Sequence, residues 1–77
     1  MSYHTTNIAV AAGLRSLGHK LEKIHVEGRL ATFFFSQESG LVALEIESGD
    51  TLVDAIRFHQ ELRRLSGLAR SMAESHG

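Results

Sequence analysis

Apolar residues change their spacing several times along the chain, and each change marks a new element. Val10, Leu14 and Leu17 recur three to four apart, which predicts a helix over about residues 7–17. Thr5, Thr6 and Asn7 are each able to cap its start, and Gly18 suits the left-handed position just past its end. Ala9, Ala11, Ala12 and Gly13 keep this helix slim enough for a second element to approach its backbone, so it is expected near the centre of the fold.

Beyond Gly18 the period drops to two. Ile24 and Val26 share one side of a strand, with Leu21, Lys23 and His25 on the other. Glu27-Gly28-Arg29 reads as a tight turn, and Leu30 to Ser36, rich in aromatic residues, is the best strand in the sequence. A two-residue turn would put Ile24 and Val26 on the same face as Ala31, Phe33 and Phe35, the expected core face. Leu21, Leu30, Thr32 and Phe34 then fall on a face that a two-layer domain leaves open.

Between Gly40 and Gly49 the pattern points two ways. Val42, Leu44 and Ile46 alternate as in a strand, whereas Leu, Ala and Glu are good helix formers. From Ala55 onward Phe58, Leu62, Leu65, Ala69 and Met72 follow at spacings of three and four, which predicts a long helix over about 53–74, with Glu74 to Gly77 fraying. The expected class is therefore α+β: helix, antiparallel β-hairpin, short helix and long C-terminal helix. A three-stranded meander in place of the short helix is the alternative.

Residues 1–77 are enough for one core only, so a single domain is expected. A chain that is 43% hydrophobic and 22% charged falls outside the disordered class. Cysteine is absent, which removes disulfides and thiolate metal sites as reinforcement and fits a reducing, cytoplasmic setting. No apolar run approaches the ~20 residues of a membrane span, and Met-Ser-Tyr-His carries no signal-like basic and apolar blocks.

The chain resembles a family of short bacterial and phage proteins catalogued only as a domain of unknown function. The likeness lies in Tyr3-His4-Thr5, in Ala11-Ala12-Gly13-Leu14-Arg15-Ser16-Leu17-Gly18-His19-Lys20-Leu21, in Gly28-Arg29, in Phe33-Phe34-Phe35, in Gly49 to Val53, and in Phe58-His59-Gln60-Glu61-Leu62-Arg63-Arg64-Leu65. It spans nearly the whole chain. Departures occur at Asn7, where the family often has an acidic residue, and at Ile46, Glu47 and Ser48, where it has aromatic residues. The resemblance implies that residues 38–48 are helical, and it implies no activity or cofactor.

Candidate chemistry is sparse. His4, His19, His25, His59 and His76 form no pair at ligand spacing, so no metal is expected, and His19 sits where a helix C-terminus favours an imidazole anyway. None of Ser16, Ser36, Ser39, Ser48, Ser66 or Ser71 lies in a nucleophile motif, and no Gly-rich phosphate loop is present. A fold of this size also has little room for a pocket of ~300 Å³. The expectation is a non-catalytic protein without catalytic residues, cofactor or metal.

Association is the favoured role. A cysteine-free core this small benefits from oligomerisation, and a 22-residue helix of about 33 Å should overhang strands of about 20 Å. Leu65, Leu68, Ala69 and Met72 would then need cover from a second copy or a protein partner, together with Phe34 on the open sheet face. The alternative is a nucleic-acid-associated protein contacting phosphates through Lys20, Lys23, Arg63, Arg64 and Arg70, with Phe34 stacking a base. A formal net charge of −1 weighs against it. An apolar patch would mark the first reading and a basic stripe joining Lys20, Lys23, Arg63 and Arg64 the second.

Overall fold

The computed structural model describes residues 2–76, and for His76 the backbone alone. Its elements are β1 (Ser2–Thr5), α1 (Ile8–Ser16), β2 (Lys23–Glu27), β3 (Leu30–Ser36), α2 (Ser39–Ser48) and α3 (Ala55–His76). The class is α+β, in the expected order of helix, hairpin, short helix and long helix, with one strand added at the front. That strand, β1, was not foreseen: four residues ending in the cap region carry too little alternation to announce themselves. It pairs antiparallel with β3, which becomes the central strand of a sheet ordered β1-β3-β2.

The hairpin register follows the alternation. Ile24 pairs with Phe33 and Val26 with Ala31, so these side chains share the core face with Phe35, and Tyr3 and Thr5 join them from β1. Gly28 supplies the positive φ of +63° that the turn demands. His4, Lys23 and Phe34 lie in one row on the opposite face, and Thr32 pairs with His25 beside them. Leu30 is exposed as expected, but Leu21 instead packs against the core, because β2 begins only at Lys23 and the preceding segment is free to turn inward.

All three helices cover one face of the sheet. α1 lies between α2 and α3, and its small residues explain why: Ala11, Ala12 and Gly13 are buried, and Gly13 leaves room for Ile46 of α2. Asn7 provides its N-cap, its side-chain oxygen accepting from the amides of Ala9 at 2.9 Å and Val10 at 3.4 Å. The helix closes in a Schellman arrangement, with the His19 amide donating to the Leu14 carbonyl and Gly18 at φ +93°. Leu17, expected in the buried stripe, is the C-cap residue and is exposed.

Residues 39–48 are helical, which overturns the meander. In α2 Ser39 and Ala43 are buried, with Val42 and Ile46 against the core, whereas Leu41 and Leu44 face solvent. Helical spacing, not alternation, thus decides which residues point inward. Gly49, at φ +80°, ends α2 in a second Schellman arrangement closed by the Asp50 amide on the Glu45 carbonyl at 2.9 Å. Asp54 opens α3 by accepting from the Arg57 amide at 2.9 Å. Phe58, Leu62 and Leu65 face the core, Ala55 does not, and the helix continues to His76 through residues expected to fray. Gly77 lies outside the described residues.

The core comprises Val10, Ala11, Ala12, Leu14, Phe33, Phe35, Ala43 and Leu65. Leu65 is only 1% exposed, so its cover comes from its own chain, and the expectation that it serves an interface is corrected. The overhang starts later than a comparison of lengths suggested, because α3 packs along both α1 and β2.

Candidate functional site

Two polar features could have carried chemistry, and each is accounted for by packing. Arg15 Nε donates to Glu61 Oε2 at 3.3 Å, joining α1 to α3, and its Nη1 donates to the His19 carbonyl at 3.2 Å. His19 Nδ1 lies 2.8 Å from Ser39 Oγ, which lies 3.4 Å from Ser36 Oγ. A serine on an imidazole is half of a nucleophilic pair, but Ser39 is 1% exposed and no substrate could reach it. This seam ties the end of α1 to the start of α2, and among the described residues every buried side-chain N and O atom has a partner. No group of three or more His, Cys, Asp or Glu converges among the described residues.

The predicted nucleic-acid residues are placed on different parts of the molecule. Lys23 Nζ sits 5.2 Å from the Phe34 ring centroid on the open sheet face, with His4 on the same ring at 5.6 Å. Lys20 is exposed on the segment between α1 and β2. Arg63 and Arg70 flank Ser66 and Gly67 in an open groove of about 380 Å³ on α3, on the helical side of the sheet. Arg64 lies 3.5 Å from Glu61 Oε1. Lys23 thus stands with Phe34 on the open sheet face, and the arginines stand on α3.

Phe34 is half-buried by its own neighbours Lys23 and His4, so it does not stand out as a bare apolar knob. On α3 Leu68 is 44% exposed, and Ala69 and Met72 are half-buried. These two flank the stripe that Leu65 begins, and Leu68 leads toward solvent.

A cleft of about 380 Å³, which the small size of the chain argued against, opens where α1, α2 and the first turn of α3 meet. Val10 and Gly13 form its floor, Ile46, Val53 and Phe58 its apolar walls, and Asn7, Glu47 and Thr51 its polar rim. Leu52, between two lining residues, is 94% exposed, and Ile56 at the start of α3 is 71% exposed. Sequence reasoning missed this site. Its walls come from three elements, and the one available signal was the pair of apolar residues Leu52 and Ile56, which fit no buried stripe. Of the five acidic residues between Glu38 and Ile56, Glu47 lines the rim.

No family model, no curated protein and no solved structure matches the chain. Among the described residues no helix is long and apolar enough to cross a membrane.

Proposed function

We propose that the chain is a small, non-catalytic accessory protein that associates with itself, or with a protein partner, in the cytoplasm, and that it does so through the cleft between α1, α2 and α3. The observation that carries this reading is the cleft itself: an apolar hollow with a buried floor, with the exposed apolar side chains Leu52 and Ile56 on the segment that leads from it into α3. Such patches on monomeric proteins commonly mark interaction sites. Burying two side chains of this size contributes about 3–6 kcal/mol, while association forfeits about 4–15 kcal/mol of freedom of motion. Leu52 and Ile56 alone are therefore too little, and the interface has to fill the cleft as well.

Sedimentation of the wild type across a dilution series, beside Leu52→Glu with Ile56→Glu, tests the self-association arm. Both positions are exposed, so the variant should keep its fold while its association weakens at least tenfold. A wild type that stays a compact monomer at every concentration removes this arm.

A second reading, nucleic-acid association, draws support from the groove between Arg63 and Arg70 and from the Lys23, Phe34 and His4 row. It requires oligonucleotide binding that weakens steeply between low and physiological salt and disappears in Arg63→Ala with Arg70→Ala. The acidic segment beside the cleft makes this the lesser reading.

A further inference from the structure

We infer that β2 pairs edge to edge and antiparallel with β2 of a second copy, joining two three-stranded sheets into one; this surface is separate from the cleft. β2 is an outer strand of the sheet, and among the described residues no backbone bond links Lys23–Glu27 to any element but β3. The two-residue turn at Gly28 and Arg29 closes on the pair Glu27 and Leu30, and the ladder bonds alternate from there. Glu27, His25 and Lys23 therefore turn their amides and carbonyls to β3, while Ile24 and Val26 turn theirs to the free edge.

Charge selects a second copy as the occupant. Charged side chains on an edge strand ordinarily guard it against further pairing. Here the order Lys-Ile-His-Val-Glu, laid antiparallel against itself about His25, converts the guard into attraction. Lys23 then faces Glu27 of the second copy at both ends, Ile24 faces Val26 on the core face, and the two His25 side chains meet on the axis. Both charges are displayed on the open face: Lys23 is exposed beside Phe34, and the Glu27 side chain is 87% exposed, with the exposed His25 at 3.8 Å. A slip of one residue would set Lys23 against Val26 and reverse one sheet, so the symmetric register is the one that matches. Ile24 and Val26 are half-buried at the rim of the core, and pairing carries that apolar face across the junction. The two-fold axis keeps both helical layers on one side, with the two copies of α3, which packs on β2, across the axis from each other.

Because the chain has no cysteine, single cysteines read the register directly. His25→Cys brings one thiol from each copy to the axis, within the Cα separation of about 4.4–6.8 Å that a disulfide spans, so mild oxidation should give a covalent dimer. Thr32→Cys, on the same face but one strand further in, should stay monomeric. Charge reversal tests the pairing without a crosslink, and circular dichroism checks that each variant is folded. In sedimentation, Lys23→Glu alone and Glu27→Lys alone should each weaken the dimer about tenfold or more, since like charges then meet at both ends. An equal mixture of the two, and the double variant carrying both changes, should regain wild-type association, because opposite charges meet again. Equal crosslinking of the two cysteine variants, no crosslinking of His25→Cys, or reversals that leave association unchanged would overturn β2 pairing. Leu52→Glu with Ile56→Glu separates the edge from the cleft. Association that survives this variant but not Lys23→Glu upholds the edge and removes the cleft, and the opposite result removes the edge. A wild type that is monomeric at every concentration overturns both.

Discussion

Phe33 and Phe34 are adjacent and chemically identical, and the pleat alone gives them opposite fates. Phe33 is buried in the core, whereas Phe34 rests between Lys23 and His4 on the open face. Phe33→Ala should cost about 3–5 kcal/mol and unfold the domain, while Phe34→Ala should cost about 1 kcal/mol or less through its lost cation contact. Thermal melts of the two variants decide it; the opposite ranking would mean that the strand faces the other way. Leu65 and Leu68 make the same comparison on a helix. Leu65→Ala should destabilise the fold by about 2–5 kcal/mol at every protein concentration. Leu68→Ala should leave the melt of a dilute sample nearly unchanged.

At the scale of elements, glycines and the first strand offer the clearest tests. Gly49 ends α2 at φ +80°, so Gly49→Ala should destabilise by about 1 kcal/mol, the strain of a left-handed residue with a Cβ. Gly67 sits inside α3 with nothing within 4 Å of an added Cβ, so Gly67→Ala should stabilise by about 0.5–1 kcal/mol. Chemical denaturation of both variants reads the two signs directly. β1 covers the free edge of β3 and places Tyr3 against the core. Deleting residues 1–5 should lower the melting temperature and raise aggregation measured by light scattering, because the uncovered central strand becomes an open edge. An unchanged melt would show that β1 contributes nothing to the fold.

For the whole molecule, size sets the terms. The principal extents of 38 × 30 × 18 Å leave one thin core between a sheet and a layer of three helices. Such a core rarely supplies more than about 3–5 kcal/mol, so a gain from association would be a large share of the total. If copies assemble through the cleft, the melting temperature should rise with protein concentration in the wild type and rise less in Leu52→Glu with Ile56→Glu. Calorimetry over a hundredfold concentration range checks this, and a flat wild-type curve counts against assembly.

α1, the β2–β3 hairpin and α3 were legible because helix caps, strand alternation and heptad-like spacing are local, whereas the four residues of β1 were too few to show a period. Asn7, Gly18, Gly28 and Gly49 mark their boundaries within a few residues, and Ile24, Val26, Phe33 and Phe35 show their face by period alone. Residues 42–46 were not legible by period, since Val42, Leu44 and Ile46 satisfy a strand pattern; their helix-forming composition pointed to the helix that forms, in which Val42 and Ile46 pack against the core. Burial and sites required the tertiary structure for a related reason. Leu65 is covered and Leu52 left bare according to where non-adjacent segments come to rest, and the cleft exists only because Val10, Ile46 and Phe58 arrive at one place from three helices. Local sequence sets which way a side chain points, but what it meets there is determined by the rest of the chain.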